Sequence, residues 1–394
     1  MKRILVLTFY YPPDLCAGSF RAGALIEALA PLASQQNIAI DIITTEPNRY
    51  HNFSVETVVG KKYDNVTLTR IKIVTHQSGF FDQARAFADY FFQTLKITRH
   101  KKYNIVFSTS SRLFTAFLGA RIAAKQKIPL ILDMRDIFTD TMQSLLKFPL
   151  KMALPFFQWI EKYTIKKASL INLVSPGFAS HFEKLKNSSC EMSRISNGID
   201  ECFYAIDFRH KKIRAKKRVL YAGNIGQGQG LENIIPVLAE QFFSQCEFVI
   251  VGGGGRLHAL KKICEHLSNV VLLPPVDHEK LILHYQDADI LFLHFNNVPA
   301  FEKVLPSKIF EYAYTAKPMV AGVFGYAAKF LKSEVTQSFV FEPGNVEQAL
   351  TAMHGALAYS TDNKNHELMY QKFNRAGLME QLSQEIINQL HTCN

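Results

Sequence analysis

Short apolar runs recur along the chain, and each gives way to a loop marked by Gly, Pro or Asn and then to a stretch with helical spacing. Runs this short, rich in Val, Ile, Leu and Phe and lacking strict polar alternation, describe strands covered on both faces, as in a parallel sheet. In the first half, strands are expected at Ile4–Phe9, Ile38–Thr44, Val66–Ile73, Ile105–Ser108, in PLILDM and at Leu170–Val174. Helices are expected between them at Ala22–Leu32, Phe80–Thr98, in SSRLFTAFLGARIAAKQ, and at Leu154–Ala168 and Gly177–Leu185. The loop YYPPDLCAGSFRAG after the first strand contains Gly18, and a glycine loop between a first strand and its helix is where ligands bind in such sheets.

The second half restarts the same pattern. RVLYAGNIG is a strand ending in a glycine loop, LENIIPVLAEQF a helix, CEFVIVGGGG a strand and glycine turn, and RLHALKKICEHL a helix. VVLLPP, a helix through Lys280–Gln286, the strand ADILFLHF, a helix opening at Pro306 and the strand MVAGV follow. Two successive βαβα series predict an α/β protein of two Rossmann-like domains facing each other across a cleft. The first is expected to span 1–203 and the second 204–374, with the closing helices, 375–394 among them, packing back on the first half.

The densest chemistry lies in residues 300–330, AFEKVLPSKIFEYAYTAKPMVAGVFGYAAKF. Pro306 has a fixed φ and no N–H, which suits a first helical turn. Ile309, Phe310, Ala313 and Tyr314 form an inward stripe, and Ser307, Lys308 and Glu311 lie off it. Gly322 to Gly325 supplies a turn, so a helix start and a glycine turn both offer N–H groups to an anion. Taken alone, Glu311 fits equally well as an ordinary solvated carboxylate of a helix, and a solvated helix residue is the lesser alternative for Lys308.

At 394 residues the chain is long enough for two full cores. Its 48% hydrophobic and 20% charged content is that of a folded globular protein, and no apolar run reaches the length of a membrane span. The opening MKRILVLTFYYPP reads as a buried strand rather than a signal peptide, so a cytoplasmic protein, soluble or peripheral on the inner membrane face, is expected. Cysteines at 16, 190, 202, 246, 264 and 393 have no metal-ligand spacing, and no metal site or disulfide framework is expected.

The net charge of +11 is concentrated in TRHKK, in RHKKIRAKKR and around LKFPLKMALPFFQWIEKYTIKK. Such charge favours an anionic partner, and the absence of any nucleic-acid-binding motif argues against DNA or RNA. The run RHKKIRAKKR also fits a solvated linker between domains. FFDQARAFADYFF and FPLKMALPFFQWIEKYTIKK combine large apolar groups with Lys and Arg, which suits an anionic membrane surface as well as core aromatics under a basic surface.

The order NGID, YAGNIGQGQGLENII, VGGGGRLHAL, ADILFLH and LPSKIFEYAYTAKPMVAG resembles the nucleotide-sugar glycosyltransferases of the two-Rossmann-domain, GT-B type. The nearest resemblance is to the retaining glycosyltransferase family 4, in its bacterial surface-polysaccharide group carrying LPSKIFEY. The resemblance implies that Glu311 binds the donor ribose hydroxyls, a role suited to an acceptor-only carboxylate. It places Gly223, Asn224 and Gly226, with Gly253, Gly325 and Tyr326, around the donor diphosphate and sugar, and Gly18 near the same diphosphate. It implies no metal and no cofactor beyond a nucleoside-diphosphate sugar, expected to be UDP-linked, and a saccharide or polyprenyl-linked acceptor.

Several positions depart from the family pattern. Lys303 stands where the family's first glutamate is usual, and Asn224 and Gln229 stand where relatives carry basic residues. Charge on the leaving diphosphate is therefore expected to fall to Lys308, with Lys303 and Lys329 behind it. In LDMRDIFTD, Asp136 is expected at a strand's carboxyl end, where it could orient or deprotonate the acceptor hydroxyl or form a structural pair with Arg135. The function implied is retaining transfer of a hexosyl or N-acetylhexosaminyl group in surface polysaccharide or lipopolysaccharide synthesis. A sugar-nucleotide epimerase or hydrolase and an inactive nucleotide-sugar-binding protein are the alternatives.

Overall fold

The structure, a computed structural model, describes residues 1–47, 62–73, 80–110, 113–145, 150–208, 214–359 and 365–392. Most of the polar stretch at 47–52, residues 209–213 of the basic run and residues 146–149 of the basic apolar segment lie outside the described residues. The chain forms two compact units, Met1–Asn197 with Arg375–Asn394, and Gly198–Asn374.

The first unit runs β1 (Lys2–Leu7), α1 (Ala17–Gln35), β2 (Ile38–Thr45), β3 (Val66–Ile71), α2 (Phe80–Thr98), β4 (Ile105–Thr109), α3 (Leu113–Gln126) and β5 (Leu130–Met134). It continues through α4 (Phe138–Leu145), α5 (Leu154–Lys166), β6 (Leu170–Leu173), α6 (Ala179–Glu183) and β7 (Glu191–Ser193). The described strands lie in the order β3-β2-β1-β4-β5-β6-β7 and every pair is parallel. The order reverses direction between β1 and β4, and loops leaving the strands' carboxyl ends at such a point form a ligand crevice.

The second unit runs β8 (Lys217–Asn224), α7 (Ile235–Gln241), β9 (Cys246–Gly253), α8 (Leu257–Ile263), β10 (Val270–Leu273), α9 (His278–Asp287) and β11 (Ile290–His294). It ends with α10 (Lys308–Tyr314), β12 (Met319–Gly322), α11 (Gly325–Glu334), β13 (Ser338–Phe341), α12 (Val346–Ala358) and α13 (Asn365–Phe373). Its sheet has the order β10-β9-β8-β11-β12-β13, again all parallel, with the reversal between β8 and β11.

The final helix, α14 (Arg375–Thr392), belongs to the first unit. Its Met379, Leu382, Ile386 and Leu390 join Leu25, Ile26 and Leu29 of α1 over Ile4, Val6, Ile105 and Phe107 of the sheet. Not every closing helix returns in this way. α13 stays in the second unit, where the Phe373 ring packs at a tilt 5.0 Å from that of Phe310 of α10, because its apolar side chains are used there. Two edge strands, β7 and β13, and the helix α4 were not expected from the pattern. Both edges are short and mostly half-buried, so they lack the continuous apolar run that marks an inner strand.

A buried ion pair ties the first unit together. Arg21 of α1 and Asp133 of β5 are both almost wholly buried, and the guanidinium meets the carboxylate in two bonds of 2.9 Å, Nε to Oδ2 and Nη2 to Oδ1. Two further donors of Arg21 reach the carbonyls of Ser196 and Ile195, and Asn172 Nδ2 donates to Asp133 Oδ1 at 2.7 Å. Burial alone would raise the Asp133 pKa, but the charges of Arg21 and Arg135 and the hydrogen bonds to Arg21 and Asn172 hold it below the usual value.

Arg21→Met should strand a charged carboxylate in the core and lower unfolding stability by about 3–5 kcal/mol in denaturant titration. Because the folded-state pKa of Asp133 is depressed, its stabilisation is present above the ordinary carboxylate range and is lost as pH falls below about 4. Equal stability of Arg21→Met and wild type at pH 7 would refute this account.

Candidate functional site

The switch point of the second sheet brings together the carboxyl ends of β8 and β11, and the loops that follow them lock onto each other. Asn296 N–H donates to the Gly228 carbonyl and Asn296 Nδ2 to that of Gln227, both at 2.8 Å. His294, buried at the end of β11, bonds through Nδ1 to the Gln229 carbonyl at 2.7 Å, so Nδ1 carries the proton. Burial holds its pKa below the usual imidazole value despite that bond, which keeps the ring neutral at pH 7.

Within the loop, Asn224 Nδ2 donates to Gln229 Oε1 at 2.9 Å, and the N–H of Gly226 donates to the same oxygen at 3.2 Å. Asn224 and Gln229 therefore brace the loop against itself, and Gln229 consumes the Gly226 donor. Gly223 is held against the neighbouring strand, since a Cβ on Gly252, at φ +154°, would sit 1.8 Å from the Gly223 carbonyl oxygen. Gly253 closes β9, and its carbonyl accepts from Ile225 N–H at 2.8 Å.

α10 provides the centre of the site. Its stripe of Ile309, Phe310, Ala313 and Tyr314 is buried as the spacing predicts, and so is Glu311, at 4% exposure. Glu311 is therefore not an ordinary solvated carboxylate. Its Oε2 accepts from Tyr285 Oη of α9 at 2.7 Å and from Lys308 Nζ at 2.8 Å, and Lys308 Nζ also donates to Tyr285 Oη at 2.8 Å. Burial would raise the Glu311 pKa, yet the charge and hydrogen bond of Lys308, with His278 and Tyr285 behind them, bring it below the ordinary value. Burial and the adjoining carboxylate push the Tyr285 phenol well above 10.0, so it stays a donor. All these bonds end on Oε2, and Oε1 accepts no hydrogen bond among the described residues. Lys308 has one N–H beyond the two spent here.

The expected anion cradle is smaller than the sequence suggests. At the start of α10 the N–H groups of Ile309 and Phe310 donate to the carbonyls of Pro306 and Ser307 at 3.2 Å. At the glycine turn, Val323 N–H donates to Phe341, and Tyr326 N–H donates to the Glu302 carbonyl at 2.7 Å. Gly325 has φ +59°, and a Cβ there would lie 2.1 Å from that carbonyl oxygen. The glycine is needed for the turn to pack on Glu302, and Tyr326 has no backbone donor to spare. Lys303 is half-buried in the turn after Pro299–Phe301, and Lys329 lines a shallow depression with Gly325 and Lys332.

In the first unit, Gly18 lies inside the first turn of α1, which begins at Ala17, and not in the preceding loop. Asp136 is half-buried just past β5, in front of α4. Its neighbour Arg135 donates from its backbone N–H to Ser110 Oγ at 2.8 Å and from Nη2 to Asn197 Oδ1 at 3.3 Å. The firmly paired carboxylate of LDMRD is Asp133. A charged residue in an apolar strand was the available signal for it, because a buried charge requires a partner. Tyr285 was likewise passed over, though its spacing from Ile282 put it on the buried face of its helix.

These two units, each a parallel sheet of Rossmann order, define a GT-B fold. Sucrose-phosphate synthase from Thermosynechococcus elongatus superposes with a TM-score of 0.74 at 14% identity over 100% of each chain. HepE of Anabaena, solved in complex with UDP, superposes with a TM-score of 0.65 at 14% identity over 98% of this chain and 100% of its own. Residues 204–374 match the family described as glycosyl transferases group 1. WcaI of Escherichia coli strain K12, whose name gives it as a glycosyl transferase of colanic acid biosynthesis, is 28% identical over 150 residues. That match spans about a third of either chain, 37% of this one and 36% of the relative.

Removing the cation should reverse the pH response of the site. In the wild type the depressed Glu311 pKa gives stability that is present above the ordinary glutamate value and lost as pH falls through the folded value. In Lys308→Met burial dominates, the pKa rises, and stability is lost as pH increases through that raised value. Unfolding midpoints between about pH 4 and 7 should slope in opposite directions in the two proteins. Parallel slopes would show that Lys308 does not set the charge on Glu311.

Proposed function

We propose that this protein is a retaining glycosyltransferase that transfers a hexosyl or N-acetylhexosaminyl group from a UDP-linked sugar to a saccharide or lipid-linked saccharide acceptor. The work belongs to bacterial surface polysaccharide or lipopolysaccharide synthesis. One observation carries the reading: Glu311 is buried, with Oε2 fixed by Lys308 and Tyr285 and Oε1 left to accept, and the Lys308 charge holds its pKa below the ordinary value. A carboxylate oxygen held in this way suits the vicinal hydroxyls of a ribose. The match of residues 204–374 to glycosyl transferases group 1 and the colanic acid relative support the reaction class and its setting. The UDP in HepE supports the choice of nucleotide.

The chemistry follows from the charges. Departure of the nucleoside diphosphate leaves negative charge on the β-phosphate, and the remaining N–H of Lys308 is the nearest cationic donor to Glu311. Lys303 and Lys329 supply further positive charge in the same unit. The acceptor hydroxyl attacks from the face the diphosphate leaves, and its proton passes to the departing phosphate, so no protein nucleophile is needed. In the first unit, Asp136 at the strand end is suited to orient an acceptor hydroxyl.

Glu311→Ala should weaken UDP binding by about 10–100-fold, the loss of charged hydrogen bonds, as read by calorimetry or a thermal-shift titration. UDP lacking its ribose hydroxyls should bind wild type and Glu311→Ala equally. Lys308→Ala should slow transfer more than it weakens binding. Unchanged UDP affinity in Glu311→Ala and wild-type transfer in both variants would sink the assignment. Donor consumed without acceptor would place the chain with epimerases or hydrolases, and binding without transfer to any acceptor would leave a nucleotide-sugar-binding protein.

A further inference from the structure

A second feature lies in the first unit and plays no part in the donor chemistry. α5 buries Phe157, Ile160 and Ile165, yet its opposite face is also apolar: Phe156 is 56% and Trp159 57% exposed, with Tyr163 one turn further on. Phe156 stacks on Trp159 at 6.3 Å, and Trp159 stacks on Tyr163 at 5.8 Å. The stack continues sideways through Phe117 of α3, 6.4 Å from Trp159, to Phe91 and the 68% exposed Phe92 of α2. Met152, just ahead of α5, is 72% exposed. Large aromatic side chains of three helices thus form one outward surface. A soluble domain has no reason to present this to water, and contiguous exposed apolar surface marks a docking site.

What covers this surface is indicated by its border. Tyr163 is shared between the aromatic stack and a cavity of about 950 Å³. Lys96, Arg99, Lys102, Arg121 and Lys125 line that cavity, and no acidic side chain lines it. Among the described residues none of these five makes an ion pair. The lysine that does make one, Lys101, is drawn to Asp41. Lys167 adds a further cation over the Tyr163 ring. A protein partner complementary to this charge would need a matching acidic face. A bilayer with anionic headgroups meets both halves at once, with aromatic rings at the acyl boundary and lysine and arginine among the phosphates. No helix among the described residues is long and apolar enough to cross a membrane, so the contact is with the surface.

We propose that Phe92, Met152, Phe156 and Trp159 insert into an anionic phospholipid bilayer while the cavity beside Tyr163 takes lipid phosphates. This deepens the reading of a lipid-linked acceptor, because it holds the first unit where such an acceptor resides. Binding should weaken steeply with salt, since the cavity charges are exposed.

The chain has a single tryptophan, and it lies in the surface in question. Full-length protein should be mixed at low salt with phosphatidylcholine vesicles with and without phosphatidylglycerol. With phosphatidylglycerol present, Trp159 emission should shift to shorter wavelength, be quenched by brominated acyl chains, and the protein should sediment with the vesicles. Lys102→Glu with Arg121→Glu should cut the bound fraction at least tenfold. Phe156→Ser should reduce the emission shift. Both variants should keep the wild-type melting temperature and UDP affinity. Unshifted emission with no sedimentation at low salt would overturn the proposal. So would equal binding to vesicles without phosphatidylglycerol, or preferential binding of inorganic polyphosphate or RNA over the vesicles. UDP binding is read without vesicles, so failure here is distinct from failure of the glycosyltransferase reading.

Discussion

A carboxylate removed from water stays ionised only if a positive charge and hydrogen-bond donors come with it, and the second unit is arranged around meeting that condition for Glu311. The cation is one helical turn back on the same helix, at Lys308, and the phenol comes from α9, at Tyr285. The three groups close a triangle of short bonds. The position of α9 against α10 therefore adds the phenol's hydrogen bond to the charge that Lys308 supplies from within α10, and it sets the packing of the core. The same condition recurs in the first unit, where Arg21 answers Asp133 and reaches on to the backbone at Ile195 and Ser196. In each unit a buried acid is met by a base, from another element in the first unit and from the preceding turn of the same helix in the second, so α1 and β5 cannot slide without separating charge from counter-charge.

Parallel sheets place all strand exits on one edge, so each unit has a single rim of loops available for chemistry. The second unit spends most of that rim on bracing. Asn224, Gln229 and Asn296 bond to the loop itself, His294 bonds to the Gln229 carbonyl, and Gly325 allows α11 to close on Glu302. Among the side-chain groups that stay open are one oxygen of Glu311 and one donor of Lys308. A rim rigid at most points and open at a few is suited to fixing a flexible ligand in one pose, since ordering costs are met in the protein's own fold.

The strand and helix series was legible because inner strands of a parallel sheet are apolar on both sides and announce themselves as unbroken runs. Edge strands β7 and β13 do not, and Glu191–Ser193 carries no signal of its own. LPSKIFEY points to Glu311 as a candidate, but nothing local shows it to be buried, because Tyr285 comes from a helix separated from α10 by a strand and a long loop. Gly226 and Gly325 read as places for a ligand to approach, and the structure fills both approaches with protein, Gln229 in one case and Glu302 in the other. Asp136 drew attention over Asp133 because exposure at a strand end is easier to imagine from sequence than a pairing across the sheet with Arg21.

The return of α14 to the first unit has a consequence for how the protein is made. Its Met379, Leu382, Ile386 and Leu390 complete a core whose other members, in α1, β1 and β4, leave the ribosome long before them. Everything from Gly198 to Asn374 is synthesised in between. The second unit can reach its native state during translation, whereas the first must wait with an uncovered apolar face until the last helix emerges. The half of the molecule that is translated first is the half that finishes folding last, and in that interval it is the part most exposed to chaperones and proteases.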